Sequence, residues 1–403
     1  MDEPKQDLLL TVHAIGEQGL LKIVQSFCPT DVIGDDAAVL TPQPGRSLIV
    51  TTDILVDGVH FSDQTTSAED AGWRAAAANL SDLAAMGATP LGITIGLGLP
   101  GDVPVAWVEG LYRGVSACLR QYRSTIVGGD LCRSPVITIA ITAFGEAEPN
   151  QIIRRSAAQP GDAIVVTGYH GASKAGLELL LHAENGRSLS EGDRIHLIQA
   201  HQRPKPRLDV VAWLWGEGRG QKAEGRRQKA GGEAEGAREA GEAEAVMGER
   251  QPWGDEGQNL THPFPLPPSP FPLPAPHTLR STPHTRIAGM DSSDGLADAI
   301  IQICRASHVG ASIERSQIPI PPALAQWVGA EQALAWALYG GEDFELVLCL
   351  PLEWAQTLVQ KVGGSAAIVG SITATPDVRL VDTIGNAPEQ PLTLERGFQH
   401  FTD

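Results

Sequence analysis

Apolar residues recur along the chain at two periods, near 3.6 and near 2, and this alternation sorts most of it into helices and strands. Leu, Val, Ile and Phe at helical spacing predict a helix over 8–27, ended by Cys28-Pro29. Asp31–Leu40 carries Asp35 and Asp36 ahead of an apolar, strand-like run. Arg46–Asp53 (R-S-L-I-V-T-T-D) predicts a buried strand ending in two hydroxyls and a carboxylate. Ser67–Gly87 is the clearest helix, with a capping-box-like start at Ser67 and Asp70, a small-residue stripe from Trp73 to Ala84, and a Gly87 stop. Strands are predicted over Pro90–Leu99, Thr125–Asp130 and Val136–Phe144, with a helix over Val105–Arg120.

Further on, strands are predicted over Ala163–Thr167, Gly310–Ile313 and Ala366–Gly370, and within 339–350. Helices are predicted from Ser173 to His182, after Asp209, from Leu296 to about Ala306, over Leu324–Leu338 and over Trp354–Val362. Such interleaving means an α/β chain with mixed sheets. Its 403 residues suggest more than one domain. We place the boundary near Pro149, giving domains of 1–148 and 149–403.

The periodicity fails between about 216 and 286. Gly216–Arg250 is Gly, Ala, Glu, Lys and Arg with near-duplicated phrases, and Pro263–Pro276 is dominated by proline. The first half holds too little apolar surface to order itself, and the second favours polyproline II. A long disordered insertion into the second domain is expected.

Composition removes several function classes. The formal net charge of −18 leaves no basic face for nucleic acid. The five cysteines form no C-x-x-C pair, so neither a zinc site nor a disulfide framework is indicated. Met1–Leu10 has no signal-peptide pattern, and no apolar run is long enough to cross a membrane. A cytoplasmic chain without nucleic-acid or membrane partners is expected.

The candidate chemistry lies in acidic residues beside Gly, Ser or Thr: Asp36, Asp53, Asp82, Asp130, Asp291 and Asp294. Ala288–Leu296 (A-G-M-D-S-S-D-G-L) sets Asp291 and Asp294 three apart at a strand-to-helix turn. Alone, that pattern reads as a helix cap. Asn79 and Asp82, three apart on a helix, read alone as a polar boundary. Together, oxygen ligands without His or Cys suit Mg²⁺, which shares its coordination with phosphate oxygens and water. No phosphate-binding loop of the G-x-x-x-x-G-K-[ST] kind is present. Gly96–Gly101 formally matches G-x-G-x-x-G, but Pro100 and Asp102 sit where amides would receive phosphate. Metal ions would have to neutralise a nucleotide's phosphates.

The motifs G-D-D-A-A, T-T-D-I-L-V-D-G-V-H-F, N-L-S-D-L-A-A-M-G-A, G-G-D, R-S-A-A-Q-P-G-D, D-S-S-D-G-L and G-G-E-D-F-E-L stand in that order. The set resembles the thiamine-monophosphate kinases of the AIR-synthetase-like superfamily. The resemblance implies a two-domain AIR-synthetase-like fold, a homodimer formed through the N-terminal sheet, and ATP with several Mg²⁺ ions in the cleft. It implies Mg²⁺ ligation by Asp36, Thr51, Thr52, Asp53, Asp82, Asp130, Asp291 and Asp294, with Asp130 and Asp294 central to catalysis. It implies ATP contacts from Gly129, Asp130, Arg155 and Ser293, and thiamine monophosphate contacts from His60, Glu342 and Phe398. The implied reaction converts ATP and thiamine monophosphate to ADP and thiamine diphosphate. Two rivals stay open: another ATP-using enzyme of the superfamily, and a non-catalytic metal or nucleotide sensor.

Overall fold

The computed structural model describes residues 10–30, 32–33, 35–215, 286–385 and 387–396, all within one compact unit. The insertion from 216 to 285 and Phe398 lie outside the described residues.

A four-stranded sheet is built from β1 (Ser47–Val56), β2 (Thr89–Leu99), β3 (Ile126–Arg133) and β4 (Thr138–Ala147), in the order β1-β4-β2-β3. β4 runs antiparallel to both neighbours, whereas β2 and β3 are parallel. A parallel pair needs a crossover, and α3 (Val105–Gln121) supplies it. Gly96 and Gly98 lie inside β2 and so form no phosphate loop.

Helix α2 (Ala68–Ala85) packs on the inner face of this sheet. Ser67 caps it, accepting from the Asp70 amide at 3.2 Å and donating to the Asp70 carboxylate at 2.6 Å. Buried residues run right round α2, the pattern of a helix enclosed on all sides. Small residues make this possible. A Cβ at Gly72 would collide with the Leu111 carbonyl, and one at Gly114 with the Glu69 carbonyl, so α2 and α3 approach backbone to backbone.

Past residue 162, β5 (Ala163–Val166), β6 (Ala288–Asp291), β7 (Gly310–Glu314), β8 (Leu346–Leu350), β9 (Ala367–Thr373), β10 (Val378–Val381) and β11 (Gln390–Pro391) make a seven-stranded sheet in the order β11-β10-β7-β9-β5-β8-β6. β6 is its edge strand and meets α2. Helices α4 (Ala172–Leu181), α5 (Glu191–Gln202) and α6 (Leu208–Trp215) follow β5, and α7 (Leu296–Ser307) follows β6.

Five elements differ from the sequence reading. Ala37–Leu40 pairs with no strand and leaves Val39 88% exposed. The helix expected over 324–338 is two, α8 (Pro322–Val328) and α9 (Ala330–Tyr339), broken at Gly329, whose φ is +83°. Helix α5 was not anticipated, since its few apolar positions give a faint period. The short strands β10 and β11 carried too few residues to show one.

The α2–α3 contact leaves no room for a methyl group. Gly114→Ala should lower the unfolding free energy by about 1–3 kcal/mol, as overpacking does. Urea denaturation checks this, and a change under about 0.5 kcal/mol would mean the helices separate freely.

Candidate active site

The site is assembled from α2, the middle of β1, which runs on past Asp53 to Val56, and the turn after β6. The inner face of β1 presents Thr51 and Asp53, because alternate residues of a strand share a face. Across from them, Asn79 of α2 is fully buried: its Oδ1 accepts from the Asp53 amide at 3.2 Å, and its Nδ2 donates to the Ala75 carbonyl at 3.0 Å. The Thr51 hydroxyl donates to the Asp82 carboxylate. The boundary reading of Asn79 and Asp82 is thereby corrected, since both are turned inward onto β1.

One bond ties this half to the second sheet. The Ser81 hydroxyl donates to Asp291 Oδ2 at 2.7 Å, and the Ser293 hydroxyl donates to Asp291 Oδ1 at 2.9 Å. Ser292 is buried, its amide donating to the Glu345 carbonyl at 2.9 Å and its hydroxyl lying 3.1 Å from His170 Nε2. Helix α7 starts at Gly295, whose φ is +110°, with no side-chain cap. The helix-cap reading of this turn is corrected as well: neither serine caps α7, Ser293 holding Asp291 and Ser292 meeting His170.

Electrostatically the group is strained. Burial, with Asp291 and Asp294 nearby, pushes the Asp53 carboxyl up to about 6. Burial and Asp53 raise Asp82 to about 6 against the opposing Thr51 bond and Arg155 charge. Burial and Asp82 raise Asp291 to about 6 against the Ser81 and Ser293 bonds. Such mutual repulsion is what a bound cation relieves. Among the described residues no three His, Cys, Asp or Glu side chains close into a metal cage. The donors are nonetheless all hard oxygens, which fits Mg²⁺, an ion usually held by few carboxylates plus phosphate and water.

The remaining assigned acids lie elsewhere. Asp130 is in register with Gly96, Gly96 with Ala140, and Ala140 with Ile54. Paired residues share a face, so Asp130 lies on the outer face with Ile54, not on the inner face with Asp53. It is also three strand spacings away, about 14 Å. Asp36, Gly129 and Asp130 line a separate cavity of about 610 Å³, together with Asp35 and Tyr112. Thr52 also points outward and exchanges a 2.9 Å hydroxyl contact with Thr142. One chain therefore gathers Thr51, Asp53, Asp82, Asp291, Asp294, Arg155 and Ser293, but not Asp36, Thr52, Gly129 or Asp130.

His60 and Glu342 meet at a second focus. The Val56 amide donates to His60 Nδ1 at 3.1 Å. Glu342 sits at φ +59°, in the left-handed region unusual for a side chain with a Cβ, and its amide donates to the Ser293 carbonyl at 2.6 Å. The adjacent Gly341, at φ +66°, admits no Cβ beside that carbonyl. The turn bearing Asp291 and Asp294 is thus hydrogen-bonded directly to the segment bearing Glu342. Burial alone would raise the Glu342 carboxyl, but the Arg74 guanidinium outweighs it and holds it below its ordinary range. The sequence reading missed Arg74, His201 and Ser81: each lies on a helix whose partners are distant in the chain.

Comparison with known proteins gives the family. The family model described as AIR synthase related protein, N-terminal domain, matches residues 34–147. A thiamine-monophosphate kinase of Synechococcus elongatus is 46% identical over 97% of this chain and 98% of its own length. The chain belongs to the thiamine-monophosphate kinase family. A thiamine-monophosphate kinase of Escherichia coli is 31% identical, covering 92% of this chain and 91% of that protein. Among solved structures, a thiamine-monophosphate kinase from Stenotrophomonas maltophilia K279a is 27% identical with a TM-score of 0.65, covering 90% of this chain and 95% of that one. AaThiL complexed with AMPPCP and TMP is 25% identical with a TM-score of 0.59, covering 94% of this chain and 97% of that one. Members of this family are kinases, and the α/β architecture with two sheets is theirs.

The raised carboxyls fix a sign for pH. A folded-state pKa above the unfolded one means that the native state binds more protons between about 4 and 6, so these groups subtract stability as pH rises through that window. In chelator at pH 7, Asp82→Asn should be more stable than the parent by about 1–2 kcal/mol. The advantage should vanish near pH 4. Denaturant melts at both pH values check it; an Asp82→Asn protein less stable than the parent at pH 7 would contradict the repulsion.

Proposed function

We propose that this chain transfers the γ-phosphoryl group of ATP to a phosphate oxygen of thiamine monophosphate in one direct, in-line, Mg²⁺-assisted step. The acceptor oxygen forms the new P–O bond, the β–γ bridging bond breaks, and ADP leaves with the electron pair. The observation that carries this reading is the link between the two foci: buried Asp291, half-buried Asp53 and Asp82 and exposed Asp294 are joined to the His60–Glu342 pair through the Glu342 amide and the Ser293 carbonyl. AaThiL has been solved with AMPPCP and TMP together, and the same two ligands suit these two foci.

Several Mg²⁺ ions, held by Thr51, Asp53, Asp82, Asp291 and Asp294, would neutralise the transferring phosphate. Arg155 adds a fixed positive charge beside Asp82, and Ser293 offers a hydroxyl toward the nucleotide. His60 and Glu342 hold the acceptor, with Phe398 as the third residue assigned to it. The acceptor is already an anionic phosphate, so positioning and charge neutralisation carry the rate and no strong general base is required.

Asp36, Thr52, Gly129 and Asp130 belong to this reading through a homodimer. Leu48, Val50 and Ile54 leave 50%, 53% and 53% of their surface exposed on the outer sheet face, an apolar row that a second copy would cover. Stacking the two outer faces lets Asp36 and Asp130 contribute to a nucleotide site that neither chain forms alone. The domain division at 148/149 belongs here too: strands before it join the four-stranded sheet, and those after it the seven-stranded one. Among the described residues no helix is long and apolar enough to cross a membrane.

The deciding assay is chromatographic detection of thiamine diphosphate from ATP, Mg²⁺ and thiamine monophosphate; its absence at saturating substrate would end this reading. Asp294→Asn should lower kcat by at least about 100-fold with an unchanged melting profile, as loss of an electrostatic stabiliser does. A near-normal kcat would remove Asp294 from the metal set. Ile54→Glu should halve the mass seen by light scattering, whereas an unchanged dimer would place the interface elsewhere.

A further inference from the structure

We propose that Arg74 is the positioning residue of the acceptor pocket, fixing the Glu342 carboxylate and the His60 main chain in one arrangement and thereby setting the affinity for thiamine monophosphate. The proposal rests on the reading of His60 and Glu342 as the acceptor-facing pair.

Arg74 is on α2, 2% exposed, among alanines. Its Nη2 donates to Glu342 Oε1 at 2.6 Å and reaches the His60 carbonyl at 3.4 Å. Its Nη1 donates to the His201 carbonyl at 2.6 Å and stands 3.1 Å from the His201 ring nitrogens. Its Nε is buried without a partner. A guanidinium taken out of water and left with an unsatisfied N–H is expensive for the fold, and the neighbouring alanines show what packing alone would place there. The side chain is explained by what it holds. Glu342 sits at φ +59° with 35% of its side chain exposed. One of its oxygens is taken by Arg74, and the other lies 3.7 Å from His201 Nδ1.

His201 backs the pair as a neutral ring. Burial and the Arg74 charge push it down to about 3, and the Ser173 hydroxyl lies 3.0 Å from Nδ1. Arg74 therefore keeps Glu342 ionised and aimed without cancelling it by a second cation. An ionised, preset carboxylate suits an acceptor whose thiazolium ring is cationic. Preorganisation of this kind acts on binding of that substrate and not on the nucleotide.

The test is steady-state kinetics with each substrate varied in turn. Arg74→Lys keeps the charge but loses the forked contact to Glu342, His60 and His201. It should raise KM for thiamine monophosphate about tenfold and leave KM for ATP within about twofold. Glu342→Gln should raise the same constant, and the double variant should be no worse than Glu342→Gln alone, since Arg74 acts through Glu342. Additive effects, equal rises in both KM values, or an Arg74→Lys enzyme with an unchanged KM for thiamine monophosphate would each overturn the proposal. Should Arg74→Lys fail to fold, His201→Asn, which removes the ring behind the pair, carries the same expectation and the same refutation. An unmodified chain that forms no thiamine diphosphate removes the underlying function. An active chain whose KM for thiamine monophosphate ignores Arg74 removes only this inference.

Discussion

Like-charge repulsion is the constraint around which the site is organised. Asp53, Asp82 and Asp291 are drawn together by burial against their own electrostatics, with Asp294 exposed beside them, and the three carboxyls are raised to about 6 as a result. Neutral donors hold them there: the hydroxyls of Thr51, Ser81 and Ser293 each donate to one of the acids. Hydroxyls satisfy carboxylate oxygens without cancelling their charge. The group therefore keeps its appetite for cations while paired arginines elsewhere, such as Arg207 with Glu345, are already neutralised.

Helix α2 transmits this constraint through the fold. One turn of it supplies Asn79, Ser81 and Asp82, which face β1 and β6 in quick succession, and an earlier turn supplies Arg74. A helix with a single buried stripe could not address both sheets. Gly72 and Gly114 matter at a distance for this reason: the close approach of α3 sets how deeply α2 sits, and with it where Asp82 and Arg74 point.

The four-stranded sheet divides the assigned residues by face. Inner-face positions meet the second sheet within one chain, whereas Asp130 and Thr52 look outward, on the face that carries exposed Val50 and Ile54. A two-residue period makes this division absolute, since neighbouring positions on a strand cannot serve the same face. The run Thr51-Thr52-Asp53 thus reads as one motif in sequence and as two sites in space.

Much of the fold was legible from periodicity. Long amphipathic or β-branched segments such as α3, β1 and β4 announce themselves, while α5, β10 and β11 are too polar or too short to do so. The sequence alone also marked the acids as a set, because carboxylates beside Gly, Ser and Thr at strand ends are a local pattern, and the order of the motifs carried the family. Tertiary structure decided which of those acids meet. It turned Ser293 from a helix cap into a support for Asp291, buried Asn79 to the last atom, and placed Arg74 between His60 and Glu342, residues that stand 14 and 268 positions away from it. Local spacing encodes what a residue can offer, but contacts across such separations depend on packing that no short window of sequence contains.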